Sequence, residues 1–352
     1  MLSIGCSAPD TAVQKADWST APNAYAEHFE LQVRGRDRRI LVFGPNGRTD
    51  TTGILIVHGA TEPGEVPLAH PLKRVAVVST THLPYFEALK ASEVVVGVAH
   101  AAALRPGVFR DQVANGHTME ISRADGLDKE RLIALAPQAL FNYPFGRNDG
   151  SDEMNIPVVP ITEYLEQHPL GRAEWIRFFG YLLGKEDKAD SLFKAIEHRY
   201  LTLKGIGAAL EDRPRVFFGS NWEKTWYAPP GNSYMATLIN DAGDYLYSDS
   251  ISDGNIAMPL ERLLLASRGA EHFGVVLAAE GRVGALQLAG GDPRLAELDA
   301  VREGGFHGNS EHSDIFGQAL LEPDIILRDL RCIFRPGTCP SHRPTYFFRV
   351  GQ

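Results

Sequence analysis

The sequence predicts an α/β protein of two parallel-sheet α/β lobes bridged by one long α-helix, with a small N-terminal β extension. Three observations carry this. Continuous apolar strands alternate with helical patterns in two separate stretches, the pattern of parallel sheets covered on both faces. Between the stretches lies EDKADSLFKAIEHRYLTLK, residues 186–204, with Ala189, Leu192, Phe193, Ile196, Tyr200 and Leu203 at helical spacing. Ahead of both, FELQVRG, RRILVFG and TGILIVHG are short β-rich runs separated by Gly, Pro-Asn-Gly and Thr-Asp-Thr-Thr, which predicts an antiparallel meander. A chain of 352 residues exceeds one ordinary core, and two domains of about 100–200 residues each are expected.

The boundaries fall at 1–24 for a polar tether, 25–71 for the meander, 72–185 for the first lobe, 186–210 for the bridging helix, 211–340 for the second lobe and 341–352 for a tail. The central helix carries Glu186 and Asp187 in its first turn, where a carboxylate suits the helix dipole. Gly184 ends the helix before it, and Gly205 and Gly207 read as its own end. At 1.5 Å per residue it spans about 28 Å.

The first lobe opens with RVAVVSTTH, a strand ending in hydroxyls and His82 where a helix from Leu83 to Ala91 begins. VVVGVAHAA, QALFNYPFG and IPVVPI supply further strands, with helices at 127–136 and about 170–183. The second lobe repeats the order with RVFFGSNW, GNSYMATLINDAG and LERLLLASRGAEHFGVVLAA, a helix at 296–304 before GFHGN, and the helix PDIILRDLRCIF. Ligands of such folds sit at the carboxyl ends of strands. That rule gathers Ser79, Thr80, Thr81, His82, His100, Tyr143 and Phe145 on one rim. It gathers Trp222, Trp226, Tyr227, Ser233, Tyr234, Tyr245, Tyr247, His307 and Asn309 on the other.

Composition excludes several classes. A net charge of −9 argues against a general nucleic-acid binder. No apolar run reaches the ~20 residues of a membrane-spanning helix. The chain has no Gly-x-Ser-x-Gly elbow, Walker loop or Gly-x-Gly-x-x-Gly after a strand. Of the three cysteines, Cys6 follows Leu2-Ser3-Ile4-Gly5, which looks like the end of a bacterial lipoprotein signal, and residues 7–24 would be the spacer behind a lipid anchor. Cys332 and Cys339 bracket a Pro-Gly turn, a spacing that fits either a disulfide or two free thiols.

Over residues 72–336 the chain resembles the periplasmic substrate-binding proteins of iron-siderophore, haem and vitamin B12 ABC importers, whose lobes are bridged by one long helix. The resemblance rests on RVAVVSTTHLPYFEAL with VVVGVA, on ERLIALAPQALF, on AEWIRFFGYLLGKEDKADSLFKAIEHRY and on GNSYMATLINDAG, PLERLLLASRGAEHF and EPDIILRDLRCIFRP, in that order. EYLEQHPLGRAEW and the meander look most like versions from Bacteroidetes. The family resemblance implies a monomeric protein that catalyses no reaction and holds no intrinsic cofactor. It would carry an iron chelate, haem or cobalamin to an ABC permease and its ATPase, be periplasmic, and meet the membrane only through a lipid anchor at Cys6. Glu130 in KERLIALAP and Glu261 in LERLLLAS match the glutamates that such proteins offer to permease arginines. Trp222, Trp226, Tyr227 and Tyr234 supply flat walls for a large cargo, and Arg105 and Arg147 are candidates for an anionic one. Pro137-Gln138 departs from the family's Pro-Asp at a strand start, whereas Pro323-Asp324 keeps it.

Two other functions are open to these residues. A receptor for a bare metal ion would use His82, His100, His307 or His312, none at the i, i+4 spacing of a preformed helical site. An enzyme would be a hydrolase using Ser79 and His82, or a two-lobed chelatase-like protein, although hydroxyls at a strand-to-helix junction more often cap the helix.

Overall fold

The computed structural model describes residues 17–124, 126–144, 154–208, 213–223, 225–277, 283–309 and 313–350. The N-terminal extension is a five-stranded sheet in the order β1 (Ser19–Ala21), β2 (Phe29–Arg34), β3 (Asp37–Gly44), β4 (Gly47–His58) and β5 (Val66–Pro67). It is antiparallel except for β5, which lies parallel to β4. Gly35 and Gly47 adopt the left-handed backbone at the ends of its tight turns. The extension begins earlier than the sequence suggests, because Ser19–Ala21 pairs with Leu31–Val33 inside the stretch expected to be tether.

The first lobe contains β6 (Val75–Val77), α1 (Leu83–Ala88), β7 (Val95–Val98), α2 (Val108–Ala114), β8 (Met119–Glu120), the small hairpin β9 (Ser122–Arg123) and β10 (Gly126–Leu127), α3 (Lys129–Leu135), β11 (Ala139–Asn142) and β12 (Val158–Pro160). Its sheet runs β12-β11-β6-β7-β8, every neighbour parallel. β6, β7 and β11 are buried along their whole length, which explains why they read as unbroken apolar runs.

Helix α4 (Pro169–Leu182) turns back along the lobe, and α5 (Glu186–Ala208) makes the crossing. All strands of the first sheet precede α5 and all strands of the second follow it, so the chain passes between the lobes once. The 23 residues of α5 span about 35 Å. Ala189, Phe193, Ile196 and Tyr200 are buried, as their spacing predicts. The helix runs past Gly205 and Gly207. A Cβ at Gly207 would stand 2.8 Å from the Asp241 carbonyl, so this glycine permits close packing within the last turn and does not end it.

The second lobe comprises β13 (Arg215–Trp222), β14 (Thr225–Ala228), α6 (Tyr234–Ala242), β15 (Asp244–Tyr245), β16 (Ile256–Met258), α7 (Leu260–Ala266), β17 (His272–Leu277), α8 (Ala285–Leu288), α9 (Pro293–Ala296), α10 (Asp299–Arg302), β18 (Phe306–Asn309), α11 (Pro323–Phe334) and β19 (Phe347–Arg349). Its centre is parallel, with β13 beside β15 and β17, and β17 beside β18. The far end of β13 instead folds back on β14 after a tight turn in which Glu223 has φ 48°, and a hairpin is necessarily antiparallel. β19 closes the other edge antiparallel to β18, so this lobe is mixed and part of the expected tail completes its sheet.

The lobes repeat one local device. Gln138 accepts the amides of Lys73 and Arg74 at the entry to β6, at 2.6 and 3.1 Å, and Glu271 accepts that of Arg215 at the entry to β13, at 3.0 Å. Gln138 therefore supplies the acceptor oxygen at the entry to β6. One continuous apolar core runs from the extension through the first lobe, α4 and α5 into α6 and α11. Arg177–Asp190 and Arg199–Asp324, both at 2.6 Å, and Tyr200–Asp241 at 2.7 Å fasten α5 further.

Candidate functional site: the inter-lobe cleft

The cleft opens at the carboxyl ends of β6 and β7 and is closed from the other side by Asp314–Gln318 of the second lobe. Its volume is about 400 Å³, and Leu83, Pro84, Leu104, Pro106 and Phe109 make an apolar wall. Facing it is Phe316, an aromatic ring 60% exposed. Arg105 Nε donates to Asp314 Oδ1 across the gap at 3.1 Å, while Asp314 Oδ2 accepts the Gln318 amide at 2.8 Å. The aspartate is thereby fixed to its own lobe and ties the other one to it.

Thr80 and Thr81 line this cleft. Ser79 and His82 support it from behind. Ser79 is the N-cap of the turn Thr80–His82, its Oγ accepting the Thr81 amide at 3.3 Å and sharing a 2.8 Å hydrogen bond with Thr81 Oγ1. Thr81 Oγ1 donates in turn to Glu163 Oε1 at 3.3 Å. His82, only 1% exposed, sets its Nε2 3.6 Å from the buried Glu163 Oε2. A capping serine and a histidine directed at a buried glutamate do not form a nucleophile–base pair.

Glu163 is subject to opposing influences. Burial raises its carboxyl, but the neighbouring charges of His82 and Arg172 outweigh burial and hold it below its ordinary value of 4.5. A depressed acid contributes stability that is fully present above the unfolded value and is lost as pH falls through the lower folded one. Glu163→Gln is therefore expected to flatten the acid limb of the thermal midpoint measured between pH 6 and pH 3. An unchanged limb would assign acid sensitivity to other carboxylates.

Tyr234 does not form an open wall. It is buried between the lobes with the Arg172 guanidinium 4.1 Å from its ring centre, and burial pushes its phenol up to about 12 despite that cation. Trp226 and Tyr245 are core residues of the second lobe. Trp226 packs edge-on against Phe273 at 5.7 Å, and Tyr245 donates to the Pro229 carbonyl at 2.6 Å. Trp222 is 69% exposed at the hairpin end of β13, and Tyr227 is half-buried on β14. Tyr143 is half-buried against the outer face of the first sheet. His100 is exposed in a left-handed conformation, its amide donating to Ser122 Oγ at 3.0 Å. His307 is buried on β18, and Asn309 ends that strand. Among the described residues no three His, Cys, Asp or Glu gather to hold a metal ion. Cys6, Phe145, Arg147 and His312 lie outside the described residues. Cys332 and Cys339 are joined by a disulfide.

Sequence reasoning missed Leu104, Phe109, Phe316 and Gln318. The available signal was Pro106-Gly107 in the connection that follows β7, a loop marker beside Arg105. Phe316 has no comparable marker. Its segment enters the cleft because the 3-10 turn Gln318–Leu321 packs on α1 and α4.

Residues 75–268 match the family model described as periplasmic binding protein. An uncharacterized lipoprotein of Methanocaldococcus jannaschii is 27% identical over 292 residues, covering 79% of this chain and 68% of that protein. Among solved structures, a periplasmic haem-binding protein from Pseudomonas aeruginosa aligns with a TM-score of 0.58 at 17% identity, over 78% of this chain and 95% of that one. The triscatecholate siderophore-binding protein of Bacillus subtilis, complexed with ferri-bacillibactin, also aligns at 0.58, with 13% identity over 76% and 94%. With more than half of the sequence matched, and both lobes hung on one crossing helix, this chain belongs to the periplasmic binding protein family, the solute-binding proteins of ABC importers.

Proposed function

We propose that this protein captures a metal chelate, either an iron–siderophore complex, haem or cobalamin, in the inter-lobe cleft and delivers it to an ABC permease and its ATPase. The observation that carries the reading is the cleft itself, at the strand ends of a two-lobed solute-binding fold, with flat apolar surface at Phe109 and Phe316 and one polar anchor at Arg105. The protein binds its solute and does not transform it. A helix packed against both lobes along one continuous core favours a small closure over a wide hinge.

Location follows from three supports: the family, a relative named as a lipoprotein, and a disulfide suited to an oxidising compartment. Lipidation of Cys6 would hold the chain at the outer face of the membrane as a monomer, with Glu130 and Glu261 meeting the permease.

Titration calorimetry with haem, cobalamin, a neutral ferric hydroxamate and an anionic ferric catecholate tests the reading. One of them is expected to bind below ~10 μM, about −7 kcal/mol. Phe316→Ala is expected to weaken that binding at least tenfold. Failure of all four sinks the proposal as stated.

A further inference from the structure

A second pocket, of about 410 Å³, lies where the last turns of α5 and α11 meet the turn that follows α11. Leu203 and Ile206 of α5 give it an aliphatic side, and Arg328 and Arg331 of α11 give it a basic one. The Cys332–Cys339 disulfide, itself part of the lining, holds the 3-10 turn Pro336–Thr338 against the helix. No lining residue is shared with the inter-lobe cleft. Ile206 is 51% exposed, so an aliphatic side chain beside two guanidinium groups is left without a covering element.

The charges here are unbalanced. Arg328, Arg331 and Arg335 stand at i, i+3 and i+7, on one face of α11 and its cap. Among the described residues none of the three has a carboxylate within ion-pair distance. The nearby acids are committed elsewhere: Asp324 to Arg199, Asp241 to Lys204 and Tyr200, and Asp329 to His342 and the tail amides. Arg331 is fixed in place by donating Nη1 to the Leu203 carbonyl at 3.2 Å, and burial together with the charge of Arg335 weakens its hold on its proton. Arg335 Nη2 is buried with no hydrogen-bond partner. A helix C-terminus favours a cation. It does not account for three that repel one another in a chain of net charge −9, an arrangement that costs stability until an anion sits against it.

We propose that this pocket binds an anionic amphiphile with a phosphate head, the guanidinium groups of Arg328 and Arg331 taking the phosphate while Leu203, Ile206 and the disulfide take its aliphatic chain. Guanidinium forks match phosphate oxygens in pairs. A bare ion would leave the aliphatic side uncovered, whereas each methylene laid on it adds hydrophobic stabilisation. The volume is within the range of small-molecule sites and suits a single chain. The site is separate from the cleft and holds whatever cargo the cleft carries.

Dodecyl phosphate, titrated calorimetrically into the full chain below its micellar concentration, is expected to bind one to one, with inorganic phosphate and dodecyl maltoside each at least tenfold weaker. A diazirine at the end of its chain is expected to label peptides containing Ile206 or residues 332–342. Arg331 also ties α11 to α5, so the mutational test uses the exposed Arg328 and Ile206. Arg328→Gln and Ile206→Ser are each expected to weaken binding at least fivefold with the thermal midpoint unchanged. Absence of binding, or wild-type affinity in both variants, overturns the proposal. Equal affinity for dodecyl maltoside removes the phosphate from it, and equal affinity for inorganic phosphate removes the chain; either overturns it. Label on Phe109 or Phe316 would place the amphiphile in the inter-lobe cleft, and retention on phosphatidylglycerol vesicles without one-to-one binding would make the patch a membrane-facing surface; each overturns it too.

Discussion

Glu174→Ala is expected to lower the free energy of unfolding by about 3–5 kcal/mol, the scale of removing one partner from a buried charged network. Glu174 lies on α4 with no exposed surface. It accepts the amides of Ala24, Tyr25 and Ala26 at 2.9, 2.8 and 2.9 Å and is paired with Arg177. Glu166, near the start of the same helix, accepts those of Glu27 and His28 and the Trp175 indole. Two carboxylates of the first lobe therefore hold five consecutive backbone donors of the extension. Removing one leaves three amides without their acceptor, and each buried orphan costs about 1–3 kcal/mol unless water reaches it. Urea denaturation gives the magnitude, and limited proteolysis gives the location, with new cleavage expected before Phe29. Glu174→Gln keeps an acceptor oxygen and should lose about half as much. A loss under ~1 kcal/mol would mean that Phe29, packed on Trp175 at 4.9 Å and Phe178 at 5.6 Å, holds the extension without the carboxylate.

This clamp was invisible in the sequence, where Glu166 and Glu174 look like ordinary polar positions of a helix and its approach. Elements with strong periodicity were legible. The apolar stripe of α5 marked its buried face, and the unbroken runs of β6, β7 and β11 marked a covered parallel sheet. The end of α5 was missed because Gly207 serves a close approach to α6, which propensity alone reads as a stop. The hairpin at the end of β13 was missed because RVFFGSNW carries no sign that its last residues change pairing partners.

Much less of the site was readable. Thr80 and Thr81 follow from the strand-end rule, and Arg105 from its chemistry. Trp226 and Tyr245 also stand near strand ends, but their rings turn into the core, a choice made by tertiary packing.

The second lobe has its own carboxylate clamp, and Asp329→Ala is expected to cost a similar ~3–5 kcal/mol. Asp329, on α11 and with no exposed surface, accepts the amides of Thr345, Tyr346 and Phe347 at 2.9, 2.6 and 3.3 Å, and His342 Nε2 lies 2.7 Å from its other oxygen. Burial pushes this carboxyl above its ordinary value of 3.8 even though four hydrogen bonds pull it down. The sign is opposite to that of Glu163: a raised acid makes stability fall as pH rises through the window above 3.8, so this clamp holds the tail in place at a desolvation cost. Its benefit is β19, which pairs with β18 and so stiffens the strand that ends at the second rim. Hydrogen exchange is expected to show the amides of residues 345–347 losing protection first in Asp329→Ala, with β18 following and the first lobe unaffected. Asp329→Asn, which keeps one acceptor and removes the buried charge, should cost less than alanine and flatten the pH dependence between pH 4 and 7. Protection that survives in the alanine variant would show that the pairing with β18 and the burial of Phe347, 5.7 Å from Phe306, hold the tail by themselves.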